Sequence, residues 1–198
     1  MKIGIIGAGG IGLAFAKQAI NAGHDVIVSN SRGPQSLAEA VLKLGNRARA
    51  GTRQEAAQAD IVVLAVQWQQ LSSALADLPA WNGKIVVDTM NPIIMPAFEF
   101  AELGGRTSSE IVASLLPGAR VVKTANTLTP ELLGSDPVRA DTRRVLFVSG
   151  DDAAAKTTVS GILEAAGFAT IDLGGLANGR LHQFPGGPLP GLNLFKLG

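Results

Sequence analysis

The chain has 198 residues, the length of one domain with a modest extension, and its formal net charge of +1 provides no field that favours nucleic acid or a membrane surface. It contains no cysteine, which excludes disulfides, thiolate metal sites and cysteine nucleophiles and fits a cytoplasmic protein. No signal peptide is expected, because the first apolar run is short and broken by glycine, and no apolar run is long enough to span a bilayer.

The first predicted elements are a strand, a glycine-rich turn and a helix. An apolar strand over residues 2–6 leads into Gly-x-Gly-x-x-Gly at residues 7–12, a helical pattern continues to Gly23, and a second strand covers residues 26–28. This order is typical of the first βαβ unit of a dinucleotide-binding fold, in which the pyrophosphate lies on the helix N-terminus. We therefore predict that a dinucleotide is bound by the turn residues Gly7, Ala8, Gly9, Gly10 and Ile11.

Helical and strand-like segments alternate along the rest of the chain. We predict helices over residues 35–44, 53–59, 68–78, 108–116 and 151–166, a helical turn over 130–133, and strands over 47–50, 60–66, 84–88, 119–124, 144–149 and 168–173. The pattern predicts an α/β fold of the Rossmann type, with a doubly wound, mostly parallel sheet in the order 3-2-1-4-5-6. Residues 1–125 are expected to bind the dinucleotide, and residues 126–198 to form an α/β extension that completes the sheet, covers one side of the cleft and ends in an irregular tail.

The end of the second strand favours NADP over NAD. In NAD-binding units an acidic residue at this point binds the ribose 2′-hydroxyl. This chain has no acidic residue there and instead carries Ser29, Asn30, Ser31 and Arg32. A guanidinium and short polar side chains suit the 2′-phosphate of NADP, whereas a carboxylate would repel it. The alternative is a polar loop with Arg32 in solvent.

Further cofactor contacts are expected where the next strands end, since ligands of open α/β sheets lie beyond the carboxyl ends of the strands. The candidate residues there are Ala65, Val66, Trp68, Asn91, Pro92, Ala125 and Asn126. Packing against the core explains Trp68 equally well. Asn91 is placed to reach the nicotinamide end, and Asn126 can both donate to and accept from the nicotinamide carboxamide.

Candidate acid–base groups are few. His24 is expected on the surface, His182 could reach the cleft only if the tail folds over it, and Lys123 reads as a strand residue. Asp88 is better explained as a structural cap of the following loop than as an acid catalyst. The chain has no tyrosine, and no histidine–carboxylate spacing suggests a metal site. We therefore predict no catalytic side chain, which favours a hydride transfer that needs little proton transfer from the protein.

Several segments together resemble a known family. They are the glycine turn, residues 29–32, residues 88–92, residues 116–123 followed by Asn126-Thr127, and residues 172–176. These segments resemble the deazaflavin-dependent NADP reductase family, the coenzyme F-420:NADP oxidoreductase group, which also includes many bacterial dinucleotide-binding proteins. They are similar as well to the cytosolic reductase domain of the six-transmembrane metalloreductases. The resemblance covers nearly the whole chain.

The resemblance implies a mechanism. NADP(H) would bind across the sheet, with coenzyme F-420 or a flavin stacked on its nicotinamide under the C-terminal segment, and hydride would pass directly between the two rings. Residues 186–192 would line the acceptor side. The family often has phenylalanine where this chain has Ala125, and the smaller residue would enlarge the pocket beside the nicotinamide.

Two other functions stay open at this point. One is an NADPH-dependent reductase of a small imine or carbonyl substrate, for which His182 or Thr89 would have to donate the proton. The other is a non-catalytic, NADPH-binding redox sensor. The expected partners are a small-molecule hydride acceptor or donor and a second copy of the chain in a homodimer, without nucleic acid or membrane. The apolar residues between 93 and 100 would be core, pocket lip or dimer surface.

Overall fold

The computed structural model describes residues 1–197 and follows the predicted alternation of strands and helices. The strands are β1 (Lys2–Ile6), β2 (Asp25–Ser29), β3 (Ala48–Ala50), β4 (Ile61–Leu64), β5 (Ile85–Asp88), β6 (Ile93–Ile94), β7 (Glu99–Phe100), β8 (Arg120–Lys123), β9 (Val138–Arg139), β10 (Thr142–Val148), β11 (Ala169–Asp172) and β12 (Phe195–Leu197). The α-helices are α1 (Gly10–Asn21), α2 (Ala38–Leu44), α3 (Arg53–Ala57), α4 (Leu71–Leu75), α5 (Ser108–Leu115), α6 (Pro130–Gly134) and α7 (Ala153–Ala165). Short 3₁₀ helices cover Pro34–Leu37, Trp68–Gln70 and Leu176–Leu181.

The main sheet is parallel and has the order β3-β2-β1-β4-β5-β8. This confirms the predicted Rossmann-type fold and its 3-2-1-4-5-6 order. The register aligns Ile6 with Ser29 and Leu64, Leu64 with Asp88, and Asp88 with Lys123. The carboxyl ends of these strands therefore lie side by side at one edge of the sheet, and so do the loops that follow them.

Both faces of the main sheet are covered, which explains why its inner strands are continuous apolar runs rather than alternating patterns. On one face the buried side chains of β1, β2 and β4 share a core with α1 and with α7 of the extension. On the other face a second core joins α3, α4 and α5 to the sheet, with Trp81 among its buried members. No helix within residues 1–197 is long and apolar enough to cross a membrane.

The extension forms a sheet of its own in the order β11-β10-β12, with β9 also paired to β10. It meets the main sheet at one antiparallel bridge, in which the backbone N–H groups of Lys123 and Ser149 donate to each other's carbonyls at 2.8 and 3.0 Å. We expected these strands to complete the main sheet. They form a separate sheet instead, joined to β8 only through the Lys123–Ser149 bridge in the described chain. The two sheets approach closely there, since a Cβ added at Gly150 would lie 2.9 Å from the Val121 carbonyl oxygen.

Three segments differ from the predictions. The tail is less irregular than expected, since it contains the 3₁₀ helix Leu176–Leu181 and the edge strand β12. The predicted helix over residues 68–78 shortens to a 3₁₀ turn followed by α4, which ends where Ala76 adopts an extended conformation. The β6–β7 hairpin was not predicted, because strands of two residues carry no periodic signal.

A buried ion pair joins the ends of β5 and β8. The side chains of Asp88 and Lys123 are fully buried, and the Lys123 Nζ lies 3.3 Å from the Asp88 Oδ2. Lys123 Nζ also donates to the Met90 carbonyl at 2.8 Å and to Ser108 Oγ at 3.2 Å, while Asp88 accepts from the Met90 N–H at 2.9 Å and from Ser109 Oγ at 2.6 Å. Asp88 is thus the structural cap that the sequence indicated. Burial lowers the pKa of Lys123, and the Asp88 carboxylate opposes that shift.

Removing one member of this pair should destabilise the fold. We expect Asp88→Ala to lower the free energy of unfolding by about 3–5 kcal/mol, because it leaves a buried ammonium without its counter-charge. Urea denaturation followed by circular dichroism measures the change. In the double variant Asp88→Ala/Lys123→Met, the loss should be smaller than in Asp88→Ala alone. A loss in Asp88→Ala of less than about 1 kcal/mol, the range of an exposed pair, would contradict a structural role for the pair.

Candidate dinucleotide site

The glycine turn between β1 and α1 has close backbone contacts that other residues would disrupt. Gly7 has φ +110°, and a Cβ there would lie 2.3 Å from the Ala65 carbonyl oxygen. A Cβ on Gly12 would lie 1.9 Å from the Gly7 carbonyl oxygen, so α1 packs directly on the turn. A Cβ on Gly9, by contrast, would meet nothing within 4 Å. The chain is therefore tight on its inner side and leaves open space above Gly9, where a ligand can approach the backbone.

The N-terminus of α1 lacks the side-chain cap found at four of the six other α-helices of the described chain. Its N-cap is Gly9, which offers no side chain, and its first turn has no acidic residue. The helices α3, α5, α6 and α7 instead begin at Thr52, Thr107, Thr129 and Asp152, whose side chains accept a backbone N–H. The first N–H groups of α1 thus face the space above Gly9 with the positive end of the helix dipole, an arrangement that suits an anion.

One half of the cleft runs from the glycine turn toward the end of β2 and encloses a cavity of about 660 Å³. Its lining residues are Ile6, Gly7, Ala8, Gly9, Asn30, Ser31, Arg32, Arg53, Ala65, Val66, Gln67, Gln70, Ser73 and Ala74. We call this part the adenosine half, after the dinucleotide moiety that the fold directs to it. Its charged side chains are Arg32 and Arg53, so its wall is cationic.

The predicted loop residues after β2 divide into two groups. Ser31 and Arg32 are exposed and line the adenosine half, and Asn30 shapes the loop because its Oδ1 accepts the Arg32 N–H at 3.0 Å. Ser29 does not line the cleft. Its side chain is fully buried, and its hydroxyl donates to the Ile5 carbonyl at 2.9 Å, because the last residue of β2 points into the sheet. Arg53 was not predicted, since nothing local marks the start of α3 as part of the site.

The other half of the cleft adjoins the first and encloses a cavity of about 420 Å³. Its lining residues are Gly9, Gly10, Ile11, Ala65, Val66, Gln67, Trp68, Thr89, Met90, Asn91, Ile93, Met95, Phe98, Asn126, Leu128 and Pro130. We call this part the nicotinamide half. Within the described residues 1–197, no charged side chain and no histidine lines it. It is an apolar pocket with a few amide and hydroxyl groups, in contrast to its cationic neighbour.

Two asparagines form the inner wall of the nicotinamide half. Asn126 Nδ2 donates to Asn91 Oδ1 at 3.0 Å and to the His182 carbonyl, while Asn91 Nδ2 donates to the Asn126 carbonyl at 2.9 Å. Both hydrogens of Asn126 Nδ2 are therefore used, which fixes the orientation of the amide. Asn126 Oδ1 is left as a buried acceptor with no protein partner in the described chain. The neighbouring candidates Pro92 and Ala125 are buried, and neither lines the cleft.

The outer wall comes from Trp68 and the β6–β7 hairpin. Trp68 is half-buried; it packs against the second core, as one explanation predicted, and it also lines the cleft, where its contact with a cofactor stays a prediction. Ile93, Met95 and Phe98 line the cleft at its rim, which makes this apolar segment the pocket lip. Phe98 also packs edge to face with Phe100 at a centroid distance of 6.1 Å.

The tail contacts the cleft differently from the arrangement that the resemblance implied. Residues 186–192 do not line the nicotinamide half. The tail reaches it through its backbone instead, because the Phe184 N–H donates to Asn91 Oδ1 at 3.0 Å and the His182 carbonyl accepts from Asn126. Gly191 is fixed beside the site by its N–H, which donates to the Thr127 carbonyl at 2.8 Å.

Neither candidate proton donor is available to a ligand. His182 is fully buried outside the cleft lining, with Nε2 2.8 Å from Ser149 Oγ. Burial, reinforced by the charge of Lys123, lowers the pKa of His182 to about 3, so its imidazole is neutral near pH 7. Thr89 lines the cleft, but its hydroxyl donates to the Leu64 carbonyl at 2.8 Å. The second histidine, His24, lies in the turn before β2, at the opposite end of the strands.

Comparisons with known proteins agree with this geometry. Residues 2–92 match the family model described as NADP oxidoreductase, coenzyme F-420-dependent. A hypothetical protein of Sinorhizobium meliloti, SMa0349, has a solved structure with 44% identity and a TM-score of 0.92, covering 99% of this chain and 96% of that one. A protein of Arthrobacter sp. FB24, described as an F-420-dependent NADP reductase, is 30% identical with a TM-score of 0.78, covering 91% of this chain and 87% of that one.

A curated relative is longer than this chain. The metalloreductase STEAP3 of Rattus norvegicus is 33% identical over 180 residues, which is 90% of this chain. The chain spans only 35% of the length of that relative. The similarity therefore concerns one part of the metalloreductase.

The buried His182 should make stability depend on pH. Its folded-state pKa of about 3 lies below the ordinary histidine pKa of 6.5. As the pH falls below about 6.5, the unfolded chain therefore binds a proton at this imidazole and the folded protein does not. We expect His182 to contribute a loss of up to about 1.4 kcal/mol of unfolding free energy per pH unit over that range. Urea denaturation at pH 7.5, 5.5 and 4.5 measures it.

The matched variants are His182→Gln and His24→Gln. His182→Gln should flatten the pH dependence below pH 6.5, because the glutamine carries no titrating group, whereas His24→Gln should retain the contribution of His182. The same slope in the wild type and in His182→Gln would show that the buried imidazole is not the source.

Proposed function

The chain belongs to the family of coenzyme F-420-dependent NADP oxidoreductases, and from this membership we propose that it transfers hydride between NADP(H) and a deazaflavin or flavin-type ring. It is an NADP-dependent oxidoreductase, and what the proposal adds is the nature of its hydride partner. The partner ring would lie against the nicotinamide in the nicotinamide half of the cleft. When bound, the two rings supply the redox chemistry.

The cleft fits NADP(H) from one end to the other. The uncapped N-terminus of α1 and the open space above Gly9 suit the pyrophosphate. The adenosine half carries Arg32 and Arg53 and no carboxylate among its lining residues within 1–197, which suits a 2′-phosphate rather than a free 2′-hydroxyl. The apolar second half adjoins it and is the place left for the nicotinamide.

The proposal rests on one observation: among residues 1–197, no side chain that lines the nicotinamide half is available to donate a proton. Its lining has no acidic, basic or histidine side chain, and the Thr89 hydroxyl is used by the Leu64 carbonyl. A carbonyl or imine reductase normally needs a proton from a positioned group as the hydride arrives. A conjugated ring takes up hydride without that help, so the pocket favours a ring acceptor over a small carbonyl or imine.

The protein's own contribution is orientation and exclusion of water. We propose that Asn126 Oδ1, the buried acceptor without a partner, receives an N–H of the nicotinamide carboxamide. Such a bond would fix which face of the nicotinamide points toward the acceptor. Trp68 and the lip residues Ile93, Met95 and Phe98 would then exclude water from the reacting rings. Ala125 does not enlarge this pocket, because its methyl group is part of the core.

An anaerobic assay of NADPH oxidation tests the proposal. Purified coenzyme F-420, FMN and FAD are supplied in turn, and a small imine and a small ketone serve as competing substrate classes. We expect reduction of a ring acceptor, faster with NADPH than with NADH by about tenfold or more, the effect of losing a charge-assisted contact.

The alternatives give different results in the same assay. Turnover of the imine or ketone without ring reduction would replace the proposal with the small-substrate reductase. Binding of NADPH, followed by fluorescence, without turnover of any acceptor would replace it with the redox sensor.

The cofactor preference is tested separately at Arg32. We expect Arg32→Ala to raise the NADPH dissociation constant by about tenfold while changing that of NADH by less than about twofold, because only NADPH has the 2′-phosphate. Calorimetric titration measures both constants. Arg106→Ala is the control, since Arg106 is an exposed arginine outside both halves of the cleft. Equal losses for the two cofactors would contradict the role of Arg32.

A further inference from the structure

We propose that Arg53 is a second specificity-determining residue for NADP(H), which binds the 2′-phosphate together with Arg32. The inference rests on the proposed function in one respect, that the adenosine half holds the adenosine end of the cofactor. It concerns a residue at the start of α3, far in sequence from the loop after β2 that is expected to read the ribose. The 2′-phosphate would then be held by groups from two separate elements.

The backbone contacts of Arg53 fix its position without using all of its donors. It is the first residue of α3, and its Nη1 donates to the carbonyls of Ser73 and Ala74 at 2.5 and 2.9 Å. A guanidinium has five N–H donors, and these two bonds use only the pair on one nitrogen. The other three N–H donors of the Arg53 side chain, on Nη2 and Nε, bond no protein acceptor in the described chain. Arg53 is therefore anchored to the end of α4 and still able to bind an oxyanion in a forked geometry.

The charge of Arg53 is not neutralised locally. Other arginines of this region are paired, since Arg47 lies 3.2 Å from Asp25 and Arg49 lies 2.8 Å from Glu55. Neither Arg53 nor Arg32 has a carboxylate within ion-pair distance in residues 1–197. Two guanidiniums that line one cavity repel each other, and an anion between them relieves that repulsion.

The position of Arg32 and Arg53 in the cleft indicates which anion they would bind. Arg53 and Arg32 line the same cavity of about 660 Å³ as the glycine turn, whose helix N-terminus already suits the pyrophosphate. A second anionic group of the same ligand must then lie toward the end of β2, where the ribose of a dinucleotide is bound. The 2′-phosphate of NADP(H) is a dianion at that place and can accept from both forks.

Binding measurements on Arg53 variants test the inference. Dissociation constants of NADPH and NADH, and of the fragments 2′,5′-ADP and 5′-AMP, are measured by calorimetry for the wild type, Arg53→Ala and Arg53→Gln. Glutamine loses the positive charge but keeps an amide that can donate to the Ser73 carbonyl. Arg53→Gln therefore separates the loss of charge from any disturbance of α4 that Arg53→Ala causes. We expect NADPH and 2′,5′-ADP to bind about tenfold more weakly to both variants, while NADH and 5′-AMP change by less than about twofold.

The control is Arg47→Ala, which removes one positive charge at the opposite end of the strands, where Arg47 bonds the Gly23 carbonyl and Asp25. It should leave all four dissociation constants unchanged.

Equal weakening of the ligands with and without a 2′-phosphate by both Arg53 variants would show a structural role only and overturn the inference, as would unchanged NADPH binding. A wild type without preference for NADPH would refute the proposed cofactor itself, and with it the inference. If the wild type prefers NADPH over NADH and both Arg53 variants keep that preference, only the role of Arg53 is refuted and the proposed cofactor stands.

Discussion

The buried ammonium of Lys123 is the contact on which the arrangement of the cleft depends. Its backbone bridges the main sheet to the extension through Ser149, and its side chain holds the Met90 carbonyl and Asp88 at the end of the neighbouring strand. The same group bonds Ser108 at the start of α5. A buried charge is tolerated only when every donor is matched, so the loop after β5, the start of α5 and the extension are fixed relative to one another. Asn91 and Asn126 lie directly beyond these anchored positions, which explains why an inner wall made of two loops keeps a single geometry.

The lining of the cleft changes from cationic to apolar along its length, and this change is what the proposed function builds on. The adenosine half is cationic through Arg32 and Arg53, whereas the nicotinamide half is lined by apolar, amide and hydroxyl groups. In the proposed complex, binding free energy would come from the phosphates at the cationic end, while the end that holds the reacting rings is apolar and lined by no acid–base group in the described chain. Interactions at a remote, non-reacting part of a ligand are well suited to orienting its reactive part. This arrangement supports the proposal that the protein positions two reacting groups, since the apolar half offers no acid–base side chain among its described lining residues.

The sequence predicts the fold and the close-packed glycine turn well, because both depend on local patterns. The β-branched runs of β1, β4 and β5 and the spacing of Gly7, Gly9 and Gly12 are readable without neighbours. Arg53 and the burial of His182 are not readable, since they depend on contacts between residues distant in sequence, such as the bond from Arg53 to Ser73 or the approach of His182 to Ser149. Ser29 shows the reverse error. It lies at the end of β2 as predicted, but both faces of β2 are covered there, and its buried hydroxyl donates to the Ile5 carbonyl of the neighbouring strand.

The side-chain amide of Asn126 links the C-terminal tail to the inner wall of the nicotinamide half. Asn126 gives one hydrogen to Asn91 and the other to the His182 carbonyl, so its free oxygen is oriented only while the tail is in place. The tail is anchored in turn by the buried imidazole of His182, whose Nε2 lies 2.8 Å from Ser149 Oγ. Burial lowers the pKa of this imidazole to about 3, so it is neutral near pH 7. His182 therefore supports the geometry of the nicotinamide half from outside the cleft lining, through its backbone carbonyl on Asn126 and its imidazole against Ser149.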